Sequence, residues 1–162
     1  MEELTFQQFI TETNRMNKAE EDVYRRMARH SGLSDAAFWV LYSIETAPGP
    51  VTQTDLGGTL MLSKQTINSA LKQLEQSGHI CLTGGPGRKK YLQLTRQGRT
   101  LADRAIRPAL EVERRTFFGL AEEERASLLA LERKYLSLLL QKSEQIFNIS
   151  QEESSNYADQ AF

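Results

Sequence analysis

The clearest hydrophobic pattern in the chain lies near its middle and has the period of an α-helix. One face repeats with the spacing i, i+3, i+4 and i+7, and it consists of Ile67, Ala70, Leu71 and Leu74. This pattern predicts a helix from Lys64 to about Ser77. Ser63 is its expected N-cap, and Gly78 is the expected left-handed residue at its end.

A shorter helix is predicted before this one, and a pair of strands after it. Thr52 and Asp55 have the spacing of a capping box and predict a helix from Gln53 to about Leu60. Alternating apolar residues predict two strands around the turn sequence GGPGRKK: Ile80 and Leu82 on one, Leu92 and Leu94 on the other. Two helices joined by about three residues and followed by a hairpin form a winged helix-turn-helix.

Four further helices are predicted, over residues 6–30, 35–46, 96–118 and about 122–147. Thr5, Ser34 and Thr95 are expected N-caps, and the acidic run at 122–124 favours the last helix start. Pro108 should kink the third of these helices. The sequence therefore predicts a mainly α fold with a small β-hairpin wing, in which a winged helix-turn-helix is joined to a helical dimerisation region.

The apolar surface of the last helix is wider than one core-facing stripe. Its apolar residues are Leu128, Leu129, Leu131, Tyr135, Leu136, Leu138, Leu139, Leu140 and Ile146. Together with Phe6, Phe9 and Ile10, this excess predicts a homodimer interface. We expect a single domain over residues 1–162, with the winged helix-turn-helix lobe at 33–99, the dimerisation region at 1–30 and 100–147, and a polar tail at 148–162.

Composition bounds the class of protein. A chain of 162 residues that is 40% apolar can bury one core. It has no run of about 18 apolar residues, which a membrane span requires, and its N-terminus lacks the features of a signal peptide. A single cysteine excludes an intramolecular disulfide and points to a reducing compartment. We therefore expect a cytoplasmic protein.

Charge is distributed unevenly along the chain. The net charge of −1 by itself argues against a nucleic-acid binder. Residues 63–104, however, contain eight Lys or Arg and two Asp or Glu, a net charge of +6, which leaves −7 for the remainder. A concentrated basic segment is typical of a surface that contacts phosphates.

The polar face of the predicted 64–77 helix suits the major groove of DNA. The residues expected there are Ser63, Lys64, Gln65, Thr66, Asn68, Ser69 and Lys72. Asn and Gln can pair with adenine, Lys can reach guanine or phosphate, and Ser and Thr can bond to several base edges. Arg88, Lys89 and Lys90 lie together at the hairpin tip, where a wing would meet DNA. The alternative is an ordinary solvated helix face.

The segments DLGGTLMLSKQTINSALKQLEQSGHI and YLQLTRQGR resemble the MarR family of dimeric transcriptional regulators. The residues that carry the resemblance are Leu56, Leu60, Ser63, Thr66, Leu74, Glu75, Gly78, Leu94, Thr95 and Gly98. It extends over residues 33–145 and implies a homodimer that binds a pseudo-palindromic operator in double-stranded DNA, as a repressor. One departure is Pro86, which stands where such wings usually carry an aspartate, although Arg88 keeps the usual arginine.

The resemblance also implies a small aromatic or anionic effector, bound in a cleft between the dimer helices and the DNA-binding lobe. Trp39 and Tyr42 lie one helical turn apart and off the Phe38, Leu41 and Ile44 face, so they could line such a cleft. Packing in the core or in the dimer interface is the alternative for both residues.

Other chemistry is weakly supported. The turn GGPGRKK lacks the spacing of a phosphate loop, and no catalytic arrangement or cofactor motif stands out, so an enzyme is not expected. Two His and one Cys lack a regular metal-ligand spacing. Cys81 could be a redox switch, because alternation should turn Ile80 and Leu82 towards the core and Cys81 outward beside the wing. Two alternatives remain, namely a thiol-based redox-responsive regulator and a winged-helix module that binds protein rather than DNA.

Overall fold

A computed structural model describes residues 3–85, 87 and 89–147. Within them the chain forms six α-helices and three strands. In order these are α1 (Phe6–His30), α2 (Asp35–Thr46), β1 (Val51–Thr52), α3 (Gln53–Thr59), α4 (Lys64–Gln76), β2 (Ile80–Gly84), β3 (Lys90–Leu94), α5 (Arg96–Gly119) and α6 (Glu122–Phe147). This order of elements confirms the predicted fold class, which is mainly α with a small β-hairpin wing. The polar tail expected at 148–162 lies outside the described residues, as do Pro86 and Arg88.

The predicted N-caps are confirmed and explain where the helices begin. Thr5 and Thr52 each form a complete capping box, the first with Gln8 and the second with Asp55. The hydroxyls of Ser34 and Thr95 accept hydrogen bonds from the third backbone amides of α2 and α5. These bonds satisfy amides that have no partner inside the helix. Gly78 has a φ of 70°, as predicted for the residue after α4.

The core lies inside the winged helix-turn-helix and on the adjoining half of α5. The residues below 2% exposure with the largest side chains come from α2, α3, α4 and α5: Phe38, Leu41, Leu56, Ile67, Ile106 and Val40. Ile67 is one of four buried α4 residues, the same four that the helical period selected. α5 continues through Pro108 without a break. No α6 residue is buried.

The hairpin is part of a three-stranded antiparallel sheet with the order β1-β3-β2. Strand β1 was not predicted, because two residues are too short to show alternation. It pairs Val51 with Leu92 and Thr52 with Tyr91. The prediction that Ile80 and Leu82 both face the core is confirmed for Ile80 and wrong for Leu82. Ile80 is buried at 3%, but Leu82 is 41% exposed because it lies further out along the wing.

None of the helices in the described part of the chain is long and apolar enough to cross a membrane.

Candidate nucleic-acid interface

The structure brings the polar residues of α4 onto one open face. All seven side chains predicted to contact DNA are exposed: Ser63, Lys64, Gln65, Thr66, Asn68, Ser69 and Lys72. The opposite face is held against the core by its four apolar residues, so α4 cannot rotate without exposing them. The polar α4 face is therefore fixed in orientation and open to solvent.

Two of these side chains also have a structural role. The Ser63 hydroxyl accepts a hydrogen bond from the Thr66 backbone amide at 3.1 Å. The same hydroxyl lies 2.7 Å from the Thr66 hydroxyl. This pair caps the N-terminus of α4, so its hydroxyls have fewer free bonds to offer a ligand than their residue types suggest.

One neighbour of the polar α4 face could not be found from the sequence. The Gln53 side chain, on the first residue of α3, donates a hydrogen bond from Nε2 to the Oδ1 atom of Asn68. Both residues line a groove of about 230 Å³ that extends between α4 and the sheet. The two residues are fifteen positions apart, and no local pattern signals such a contact.

The described part of the wing has an open, basic tip. Lys89 and Lys90 are both exposed, and Arg88 lies outside the described residues. The turn is closed by a backbone hydrogen bond of 2.9 Å from the Gly85 amide to the Lys89 carbonyl. Gly85 also packs so closely on the Tyr91 ring that a Cβ there would lie 2.2 Å from it. These two contacts order the base of the wing in this chain.

A separate cluster of polar side chains connects α1, α2 and α5. It consists of Tyr24, Tyr42 and Glu113. The Tyr24 hydroxyl donates to one carboxylate oxygen of Glu113 at 2.8 Å, and the Tyr42 hydroxyl donates to the other at 2.8 Å. Trp39 packs between the two rings, with centroid distances of 4.8 Å to Tyr24 and 5.3 Å to Tyr42. The cluster therefore ties α2 of the winged lobe to α1 and α5.

Trp39 and Tyr42 do line a cleft, but it differs from the one expected. A cavity of about 580 Å³ opens between α2, α3 and the connecting residues 47–51. All of its lining residues lie between 39 and 60, inside the winged lobe, whereas the resemblance implied a cleft between this lobe and the dimer helices. The lining is largely apolar and includes Pro48 and Pro50.

The structure places Cys81 on β2 opposite Gln93, with its side chain half-buried. The nearby His79 ring accepts or donates a hydrogen bond at Nδ1 with the Ser77 hydroxyl, 2.7 Å away. Within the described residues no group of three or more His, Cys, Asp and Glu side chains is arranged to hold a metal ion.

The hydroxyls of Tyr24 and Tyr42 should ionise only at a pH well above the ordinary pKa of tyrosine. Their pKa values lie well above the ordinary value, first because burial disfavours the phenolate and then because each donates to the Glu113 carboxylate. Near-ultraviolet absorbance should show a late-titrating fraction that is lost in Tyr24→Phe/Tyr42→Phe, and Glu113→Gln should lower the pKa of both hydroxyls.

Because the pKa values of these two tyrosines are raised in the folded protein, the free energy of unfolding should depend on pH in the alkaline range. Below pH of about 10 the tyrosines are protonated in both the folded and unfolded states, and their contribution is fully present. Above it the unfolded chain loses these protons first, so the free energy of unfolding falls as pH rises. The fall should be smaller in Tyr24→Phe/Tyr42→Phe. Absence of a late-titrating fraction in the wild-type protein would contradict the cluster.

Comparison with known proteins agrees with this geometry. A model of the MarR family matches residues 31–89, which run from the end of α1 to the wing. Over 87 residues the chain is 32% identical to the HTH-type transcriptional regulator PecS of Dickeya dadantii (strain 3937). The alignment covers 52% of each protein, so the chain matches about half the length of that relative.

Solved structures extend the likeness over most of the chain. The structure of NMB1585, a MarR family regulator from Neisseria meningitidis, has a TM-score of 0.69 and 26% identity, and covers 85% of this chain and 96% of that one. The MepR–DNA complex of Staphylococcus aureus has a TM-score of 0.61 and 24% identity, covers 85% and 99%, and supports the fold alone. The resemblance first seen in the sequence is thus confirmed: residues 31–89 match the MarR family model, and the fold over most of the chain is similar to that of a MarR family regulator.

Proposed function

We propose that this protein is a transcriptional regulator that binds double-stranded DNA through α4 and the wing. The observation that carries the proposal is the exposed polar α4 face, whose orientation is fixed because the other face of α4 packs in the core. The wing that follows α4 in the chain has an exposed basic tip. The net charge of +6 over residues 63–104 supplies the attraction to phosphates. MepR, which has the same fold, has been solved in a complex with DNA.

The direct test is the salt dependence of binding to a labelled DNA duplex. Because phosphate contacts release counterions, the logarithm of the association constant should fall linearly with the logarithm of salt concentration, with a slope of about −0.9 for each contact. The alternative, a winged-helix module that binds protein, predicts no duplex binding that follows this slope. A flat dependence would therefore favour the alternative.

The proposed form on DNA is a homodimer. Helix α6 buries none of its own residues, and the exposed fractions of Leu131 and Leu139 are 64% and 52%. Exposed apolar side chains continue on α5 with Phe117 and Phe118, and at the start of the chain with Phe6. Exposed apolar surface of this extent favours association with a partner that buries it, and a second copy of the same helices would do so.

Sedimentation should show a dimer at micromolar concentration, and Leu139→Glu should shift it towards monomer because the carboxylate would be buried at the interface. Ser137→Glu is the matched control, since position 137 lies on the opposite, polar side of α6. A wild-type monomer, or equal effects of the two variants, would contradict a dimer through α6.

A two-fold dimer carries two copies of α4, so we propose a pseudo-palindromic operator with half-sites about 10 bp apart, or a multiple of that spacing. Binding there would block transcription, which makes the protein a repressor. It would act on chromosomal DNA in the cytoplasm, as expected from the sequence.

We further propose that an aromatic or anionic effector controls DNA binding from the cleft beside Trp39 and Tyr42. The cleft lies next to the Tyr24–Glu113–Tyr42 cluster, so a ligand that favours one arrangement of α2 against α5 would change DNA affinity by its differential affinity. Aromatic acids should change the fluorescence of Trp39 and release DNA together. Undiminished release in Trp39→Ala and Tyr42→Ala would place the effector site elsewhere, and no release by any such acid would favour the redox alternative at Cys81.

A further inference from the structure

One side chain of the polar α4 face is held by a residue of another helix. Gln53 donates its Nε2 proton to Asn68 Oδ1, across the gap between α3 and α4. Within the described part of the chain, the other polar side chains of this face have no hydrogen-bond partner on α3, and Ser63 and Thr66 bond to each other. Asn68 is thus singled out within the face by its partner.

The backbone that carries Gln53 is firmly held. On one side, Thr52 and Asp55 form the capping box, with the Thr52 amide donating to Asp55 Oδ2 at 2.7 Å and the Asp55 amide donating to Thr52 Oγ1 at 3.3 Å. On the other side, Thr52 pairs with Tyr91 of β3. Gln53 therefore approaches α4 from a position fixed by both a helix start and the sheet.

The hydrogen bond sets which end of the Asn68 amide is presented. A side-chain amide has an acceptor oxygen on one side and an amino group with two donor protons on the other. Because Gln53 occupies one of the two acceptor positions of this oxygen, the amino group is the better placed end of the amide for a ligand. Adenine presents the acceptor N7 next to the donor N6, so it needs a donor and an acceptor together, and an amino group alone would meet the N6 protons as well as N7. Guanine N7 and O6 and thymine O4 are acceptors and need only donors.

We infer that Gln53 is a specificity-determining positioning residue. It holds the Asn68 amide so that Asn68 donates to guanine or thymine and does not select adenine. The inference rests on the proposed function, since it requires that α4 enter the major groove. It also revises what the residue type of Asn68 alone predicts, which is pairing with adenine.

The test is selection of bound duplexes from a randomised pool by the full-length protein and its variants. Asn68→Ala should flatten the preference at one base pair and thereby identify the position that Asn68 reads. Wild type should prefer guanine or thymine there. Gln53→Ala frees the amide to present both ends, so adenine should gain on the order of tenfold at that base pair relative to guanine and thymine.

Gln53→Glu provides the sharper outcome. A carboxylate can only accept, so Asn68 should turn its amino group towards residue 53 and its oxygen towards the DNA. The preference should then move to bases that donate, namely adenine through N6 or cytosine through N4. The added negative charge weakens binding to all duplexes alike and leaves the ratios between bases interpretable. Thr54→Ala, at the next position in α3, is the matched control and should keep the wild-type preference.

The inference is overturned if wild type prefers adenine at the Asn68-dependent position, or if both Gln53 variants keep every wild-type preference. Thermal unfolding of each variant establishes that it is folded before selection. Failure of the proposed function gives a different result, because wild type would then show no salt-dependent binding to any duplex.

Discussion

Replacing Arg88, Lys89 and Lys90 together by alanine should weaken binding to every duplex, whatever its sequence, by about 10²-fold to 10³-fold per bound lobe at roughly 0.1 M salt. Lys89 and Lys90 are exposed at the wing tip, and Arg88 is included because it directly precedes them in the sequence. Each cation that contacts a phosphate should contribute about one unit to the salt slope, so the slope should flatten by almost three per bound lobe.

The size of the change in slope distinguishes wing contacts from a general effect of charge. Arg15→Gln removes one positive charge from α1, where Arg15 lies 3.8 Å from Glu12, and it should leave the slope unchanged. Gln65→Ala, on the polar α4 face, should instead change the preference between bases at one position of the binding site, by about 1–3 kcal/mol. An unaltered slope in the triple variant would show that the wing does not touch DNA.

Gly98→Ala should reduce the free energy of unfolding by about 3 kcal/mol and lower Tm by roughly 10 °C. A Cβ at position 98 would lie 1.8 Å from the His79 carbonyl oxygen, which belongs to the backbone and cannot rotate away. That oxygen also accepts a hydrogen bond from the Thr95 amide at 3.0 Å. Relieving the clash would separate the start of α5 from the start of β2. Thermal unfolding followed by circular dichroism measures the effect.

Gly57→Ala is the matched control for this variant. Gly57 also lies in a helix, but apart from its own helix backbone and chain neighbours no described atom lies within 4 Å of the Cβ that an alanine there would add. Alanine at this position should stabilise the protein by about 0.5–1 kcal/mol, because it removes backbone freedom from the unfolded chain. If Gly98→Ala were as harmless as Gly57→Ala, the close approach of α5 to β2 would be wrong.

The helices and the winged helix-turn-helix arrangement could be predicted from the amino-acid sequence alone. The helix starts were predictable because a cap joins residues three positions apart, as Thr5 does with Gln8 and Ser63 with Thr66. The buried face of α4 was predictable because helical period and burial coincide on an amphipathic helix. The residues of the polar α4 face followed from the same period, since whatever does not pack must face solvent.

Contacts between residues distant in the chain depend on how the elements pack. Strand β1 exists because β3 pairs with it, and two residues carry no pattern of their own. The orientation of Asn68 depends on Gln53, and the Tyr24 and Tyr42 hydroxyls meet at Glu113, which lies 89 and 71 residues away from them. Leu82 continues the apolar alternation of its strand yet is 41% exposed, because it lies further out along the wing than Ile80. Periodicity reports only which residues share a face, and what covers that face is fixed by the packing of elements against one another.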